Sequence, residues 1–128
     1  MKILDTCFLV SLQREWARGT TGPARQYLER GSTEEYAIST VTVLEFLEGY
    51  RNPAEGERFL DPFPRLEVNS RVAQVGSRIR RGLRERGELI GDFDLLIAAT
   101  ALAAGLPLVT ANINHFQRVE GLVLDRYL

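Results

Sequence analysis

Short apolar runs alternate with longer amphipathic ones along the whole chain, and that rhythm predicts its elements. Lys2 to Leu4 reads as a strand reaching Asp5-Thr6, with the apolar Cys7 to Val10 beyond it. Thr20 to Arg30 reads as a helix, capped by Thr20 or Thr21, with Pro23 in its first turn and Gly31 past its end. Tyr36 to Ser39 is a second strand, and Ser39 or Thr40 caps a helix over Val41 to Tyr50. A short helical piece from Asn52-Pro53 to Leu60 leads to a third strand at Leu66 to Val68. Ser70 caps a long helix to about Arg86, its apolar face marked by Val72, Val75, Ile79 and Leu83, and Gly87 stops it.

The chain is organised around Ile90 to Gly105. Asp92 and Asp94 stand where a helix begins, Leu95 to Ala104 carry no charge, and Gly105 and Pro107 end the run. A helix apolar on nearly all sides is a buried one, so its first turn projects carboxylates from the rim of a core. Leu108 to Thr110 is a fourth strand, Ile113 to Phe116 a helical turn, and Leu122 to Leu124 a last strand. Strands alternating with helices predict a three-layer α/β/α sandwich on a short, mainly parallel sheet, with residues 1–128 forming a single domain.

Composition narrows the chemistry. No apolar run approaches the roughly 20 residues of a membrane span, and the first residues lack the pattern of a signal peptide. One cysteine and one histidine exclude an intrachain disulfide and any multi-Cys or multi-His metal site, so a metal would be held by oxygen. A lone Cys7, read as core filler, suits a reducing cytoplasm. The net charge of −1 is no general attraction for nucleic acid. Yet every basic residue except Lys2 is arginine, and five arginines fall between Arg78 and Arg86. That run is either a solvated helix face, an RNA-phosphate groove or a contact for a partner's acidic surface.

The acids carry the rest. Asp5 ends the first strand, Glu45 lies on the helix after the second, Asp92 and Asp94 open the buried helix, and Asn112 follows the fourth strand. Strand ends and the helix starts after them gather on one edge of a parallel sheet, so these oxygens can converge. Glu45 shares a stripe with Val41 and Gly49, and is either solvated at its edge or aimed into a cleft. Several carboxylates brought together call for a cation, and an oxygen-only set fits Mg²⁺ or Mn²⁺. Such a site suits phosphodiester hydrolysis. His115 reads as a surface or substrate-contact residue, and Trp16, Phe59, Phe63 and Tyr127 as packing or an apolar interface. No apolar stripe stands out as surplus to the core.

Ile3-Leu4-Asp5-Thr6, Ile38-Ser39 with Glu45 to Gly49, Ile90 to Ala99, and Leu108 to Asn112 with Phe116 stand in an order and spacing found elsewhere. In these residues, along nearly its whole length, the chain resembles the PIN-domain ribonucleases, and within them the VapC-type toxins of bacterial and archaeal toxin–antitoxin pairs. The resemblance implies a metal-dependent endoribonuclease in which Asp5, Glu45 and Asp94 are the acidic metal ligands. It implies that Asn112 is a fourth, polar ligand and that Thr6 and Thr110 are small hydroxyls near the site. Asn112 stands where part of the family has Asp, which weakens a second metal position; Asp92 is either an accessory ligand or a helix cap. A homodimer, a cognate antitoxin and an RNA substrate are implied with them. The alternatives are a PIN fold that binds RNA or antitoxin without cutting, and a receiver-like or phosphatase-like domain in which Asp5 is phosphorylated.

Overall fold

Ile3 and Leu4 are wholly buried and point to opposite faces of a five-stranded parallel sheet, and the two halves of the core are built on them. The structure is a computed structural model and describes residues 1–128. Its strands are β1 (Lys2–Leu4), β2 (Tyr36–Ser39), β3 (Arg65–Leu66), β4 (Leu108–Thr110) and β5 (Leu124–Arg126), in the order β3-β2-β1-β4-β5. Every neighbouring pair is parallel, so each connection crosses over the sheet through helix, which covers both faces.

On the Leu4 face pack Phe8, Leu9, Tyr27, Ile38, Leu60, Val109 and Tyr127, carried partly by α1 (Thr6–Arg18), α2 (Pro23–Arg30) and α4 (Pro53–Leu60). On the Ile3 face pack Ile97, Ala98, Ala101, Leu108 and Phe116, mostly from α6 (Asp92–Ala104), with α5 (Ser70–Glu85) laid against α6. The remaining helices, α3 (Thr40–Leu47) and the short α7 (Ile113–Phe116), follow β2 and β4. The three-layer α/β/α expectation is met, and so is burial of the central helix: Leu95, Ile97, Ala98, Ala99, Thr100 and Ala101 are all buried. No helix is long and apolar enough to cross a membrane.

Several boundaries differ from the sequence expectation. Cys7 to Val10, left without an element by the sequence pattern, lies in a helix. Asp5 turns the chain into the thirteen-residue α1 by accepting the Phe8 N–H, and Gly19, at φ 65°, closes that helix in the left-handed region. The next helix starts at Pro23, not Thr20, because Gly22 is its cap. Glu15 reaches over from α1 and accepts the N–H groups of Gly22, Ala24 and Arg25 at 2.8–3.0 Å. A Cβ on Gly22 would meet the Glu15 carboxyl carbon at 2.7 Å, so only glycine allows the approach. Asn69, not Ser70, caps α5 by accepting the Val72 N–H. The helix α3 ends at Leu47, short of Tyr50, and β3 is Arg65–Leu66, one residue before the expected strand. The last strand sits two residues later than expected, because Leu124 is the residue that pairs with Leu108. Cys7 is exposed and not core filler, and Trp16 is 70% exposed.

Candidate active site

The chain leaves β1 at the point where the sheet order reverses direction, between β2 and β4. Open α/β sheets leave a crevice for ligands there. Asp5 lies at that point, 2% exposed. Its Oδ1 accepts the Phe8 N–H at 2.8 Å and its Oδ2 accepts the Thr110 hydroxyl at 2.5 Å. Thr110 in turn accepts the Asn112 N–H at 2.9 Å, so the end of β4 is tied to the end of β1. Burial pushes the Asp5 carboxyl up to about 6; the hydrogen bonds from Thr110 and Phe8 oppose this, and the charges of Asp94 and Glu45 add to it.

Glu45 is half-buried on α3 and accepts the Thr6 hydroxyl at 2.6 Å, which settles its orientation: it is aimed into the cleft rather than lost to solvent. Thr6 Oγ1 also lies 3.2 Å from the hydroxyl of Thr42, a fully buried residue of α3. Asp94 sits in the first turn of the buried helix, 3.2 Å from His115 Nδ1. The same nitrogen lies 3.0 Å from the Asn112 amide nitrogen, so α7 and the helix start are joined through the imidazole. Cys7 looks onto this group: partial burial, then the charges of Asp5, Asp94 and Glu45, push its thiol up to about 11. Burial and these charges both disfavour its thiolate.

Asp5, Glu45, Asp94, Asn112, Thr6 and Thr110 are thus drawn to one edge of the sheet. Asp92 is not among them. Its carboxylate is 70% exposed and pairs with Arg80 at 2.7 Å, and α6 is capped by Gly91 without any side chain, so Asp92 neither joins the cluster nor caps. Thr42 was not legible as a site member, and His115 was legible only as a surface or substrate-contact residue. The pairing of His115 with Asp94 spans 21 positions of sequence, and Thr42 follows from no pattern except one polar side chain on a buried helix face.

Asp5, Glu45 and Asp94 have no Lys or Arg partner, whereas Asp92 does. An anionic cleft of this kind repels a phosphodiester unless a cation intervenes, and an all-oxygen donor set suits a hard divalent ion. No three acid, histidine or cysteine side chains stand together closely enough to grip one ion directly. The set fits Mg²⁺ in the manner of that ion, which keeps most of its water and takes one or two carboxylates.

The comparisons with known proteins concern the chain as a whole. A family model described as PIN domain matches residues 2–122. The chain is 34% identical over 119 residues to the ribonuclease VapC19 of Mycobacterium tuberculosis, covering 91% of this chain and 92% of that one. It is 35% identical over 108 residues to the ribonuclease VapC1 of Methanocaldococcus jannaschii, 79% of each. A tRNA(fMet)-specific endonuclease VapC of Salmonella typhimurium is 30% identical over 101 residues, 73% of this chain and 76% of that one. Among solved structures, VapBC2 of Rickettsia felis bound to a DNA fragment from its promoter has a chain superposing with TM-score 0.84. That match has 25% identity and covers 98% of this chain and 97% of the other.

Proposed function

The chain belongs to the PIN-domain family, and from that premise we propose that it is a VapC-type endoribonuclease, the toxin of a toxin–antitoxin pair. One observation carries the reading most: the carboxylates of Asp5, Glu45 and Asp94, none paired with Lys or Arg, gathered at one edge of the sheet from the end of β1, α3 and the start of α6. Asp5, Glu45 and Asp94 would hold Mg²⁺ or Mn²⁺ in large part through the ion's own water, with the Asn112 amide beside them. A divalent ion bound there supplies charge neutralisation toward phosphate and acidification of water.

The protein's own part is positioning. Thr110 and the Phe8 N–H fix both oxygens of Asp5, Thr6 fixes Glu45, and His115 holds Asp94 toward Asn112. Asp5 and Glu45 are each held in one rotamer by hydroxyl or backbone donors, and Asp94 stands against His115 Nδ1. Buried Thr42 backs Thr6 and Glu45, so the α3 side of the cleft is stiff.

The partners follow from the same reading. An antitoxin is supported by a groove of about 610 Å³ between α1 and α4, lined by Leu12, Trp16, Tyr50, Phe59 and Phe63. It offers an apolar helix face a place to bury. A homodimer is supported by Leu44 and Phe93, 50% and 42% exposed, each next in sequence to a site carboxylate. An RNA substrate and a single cysteine, free of any disulfide, support work in the cytoplasm.

The test pairs calorimetric titration of Mn²⁺ with RNA cleavage on the same samples of parent and Asp94→Asn. We expect metal binding in the parent, with cleavage lost by more than about 100-fold in the variant. An Asp94→Asn protein cutting RNA as fast as the parent would end the assignment. Metal-independent RNA binding without cleavage would leave a binding module instead.

A further inference from the structure

The arginines of α5 take no part in the site, yet three arginines surround a cavity of their own. Val75, Arg78, Gly82 and Arg86 follow one another at three- and four-residue spacing along α5. They face a cavity of about 210 Å³ whose other side is Leu102 of α6 and the segment Arg118–Glu120 after α7. Two of the guanidinium groups are held in place by backbone: Arg86 Nη2 donates to the Arg118 carbonyl at 2.8 Å, and Arg118 Nη1 donates to the Leu89 carbonyl at 3.3 Å. Gly82 permits this, since a Cβ there would come within 3.3 Å of Arg86 Nη1.

The charge is unbalanced. Glu88, 3.4 Å from Arg86, is the one carboxylate paired with any of the three. Glu120 lines the cavity but pairs with none of them, and Arg78 has neither ion pair nor hydrogen bond. Three arginines against Glu88 and Glu120 leave the rim of an apolar floor net positive, which suits an anion from outside. The place of the cavity says which anion. Arg118 follows His115 by three residues and donates its backbone N–H to the His115 carbonyl at 3.3 Å, so one wall of the cavity continues in the chain from α7, which carries His115 of the cleft.

We propose that this cavity is a phosphate subsite for RNA, in which Arg78, Arg86 and Arg118 hold a backbone phosphate flanking the one to be cut. The inference rests on the ribonuclease reading. Guanidinium forks match phosphate oxygens, and the apolar wall of Val75 and Leu102 suits the sugar attached to them. An acidic protein segment would be served as well by the open arginines Arg71, Arg81 and Arg84, which face solvent without a recess.

The test is fluorescence anisotropy of the full chain with a labelled, mixed-sequence single-stranded RNA, in chelator so that nothing is cut. The variant is Arg78→Gln, which removes no internal contact and should melt as the parent does. Arg14→Gln on α1, exposed and unpartnered, makes the same charge change outside the cavity. Arg78→Gln is expected to weaken RNA binding about five-fold and to flatten the logarithmic salt slope by about 0.7, with Arg14→Gln matching the parent. Equal losses in both variants, or none in Arg78→Gln, overturn the subsite while the parent's RNA binding and cleavage keep the ribonuclease reading. Loss of polyglutamate binding in Arg78→Gln with RNA binding intact also overturns it, in favour of an acidic partner. A parent that binds no RNA in chelator yet cleaves it with Mn²⁺ present overturns the subsite alone; one that does neither ends both readings together.

Discussion

Thr110 does two things with one hydroxyl: it accepts the Asn112 N–H and donates to Asp5. Thr110→Val keeps the shape and leaves an oxygen of a buried carboxylate, and the Asn112 N–H, without a partner. The expected outcome is a loss of about 1–3 kcal/mol in a urea titration, with RNA cleavage about ten-fold slower because Asp5 is no longer held. At this scale the sequence was informative wherever chemistry coincides with chain position. Asp5 and Asn112 stand at strand ends and Asp94 at a helix start, so topology alone brings them together. It was silent where the partner is set by side-chain direction, as between His115 and Asp94, and misleading at Cys7. That residue follows the turn made by Asp5 and faces the cleft, although it continues an apolar run.

Among the elements, the pair α1 and α2 departs furthest from the reading of the pattern. Cys7 to Val10 is a short apolar run after a strand, and periodicity over four residues does not separate strand from buried helix. Gly19, the cap Asp5 and the spacing of Phe8, Leu9 and Leu12 mark the helix once the run is followed to Arg18. The longer helices α5 and α6 were legible because their periods and glycine stops extend over many turns. Glu15 supplies the check on this pair. Burial works to raise its carboxyl, but the N–H donors of Arg25, Ala24 and Gly22 prevail and hold it below the usual glutamate range. A lowered folded value means stability that is present above the ordinary glutamate pKa and lost as pH falls through the lowered one. Glu15→Gln is therefore expected to melt below the parent at neutral pH, with the two melting curves converging as the pH is taken under about 4. A gap that stays constant with pH would show that the charge is not what the α2 N–H groups select.

For the whole molecule, the apolar groove and the carboxylate cleft are separate surfaces served by the same fold. Trp16 is the largest exposed apolar side chain and lines the groove, while no site residue depends on it. Trp16→Ala is expected to weaken the cognate antitoxin at least about ten-fold by calorimetry and to leave RNA cleavage and melting temperature unchanged. Loss of cleavage in parallel would mean that groove and cleft are one surface. The order of the sheet has a further consequence, felt during synthesis. Because β1 lies between β2 and β4, and the acids come from residues 5, 45 and 94 with Thr110 holding the first of them, a growing polypeptide on the ribosome cannot complete the cleft until its last fifth has been made. A toxin built this way carries no cutting edge while it is still being translated. Chains stopped before residue 110 lack the Thr110 hydroxyl that holds Asp5, and with it a finished cleft.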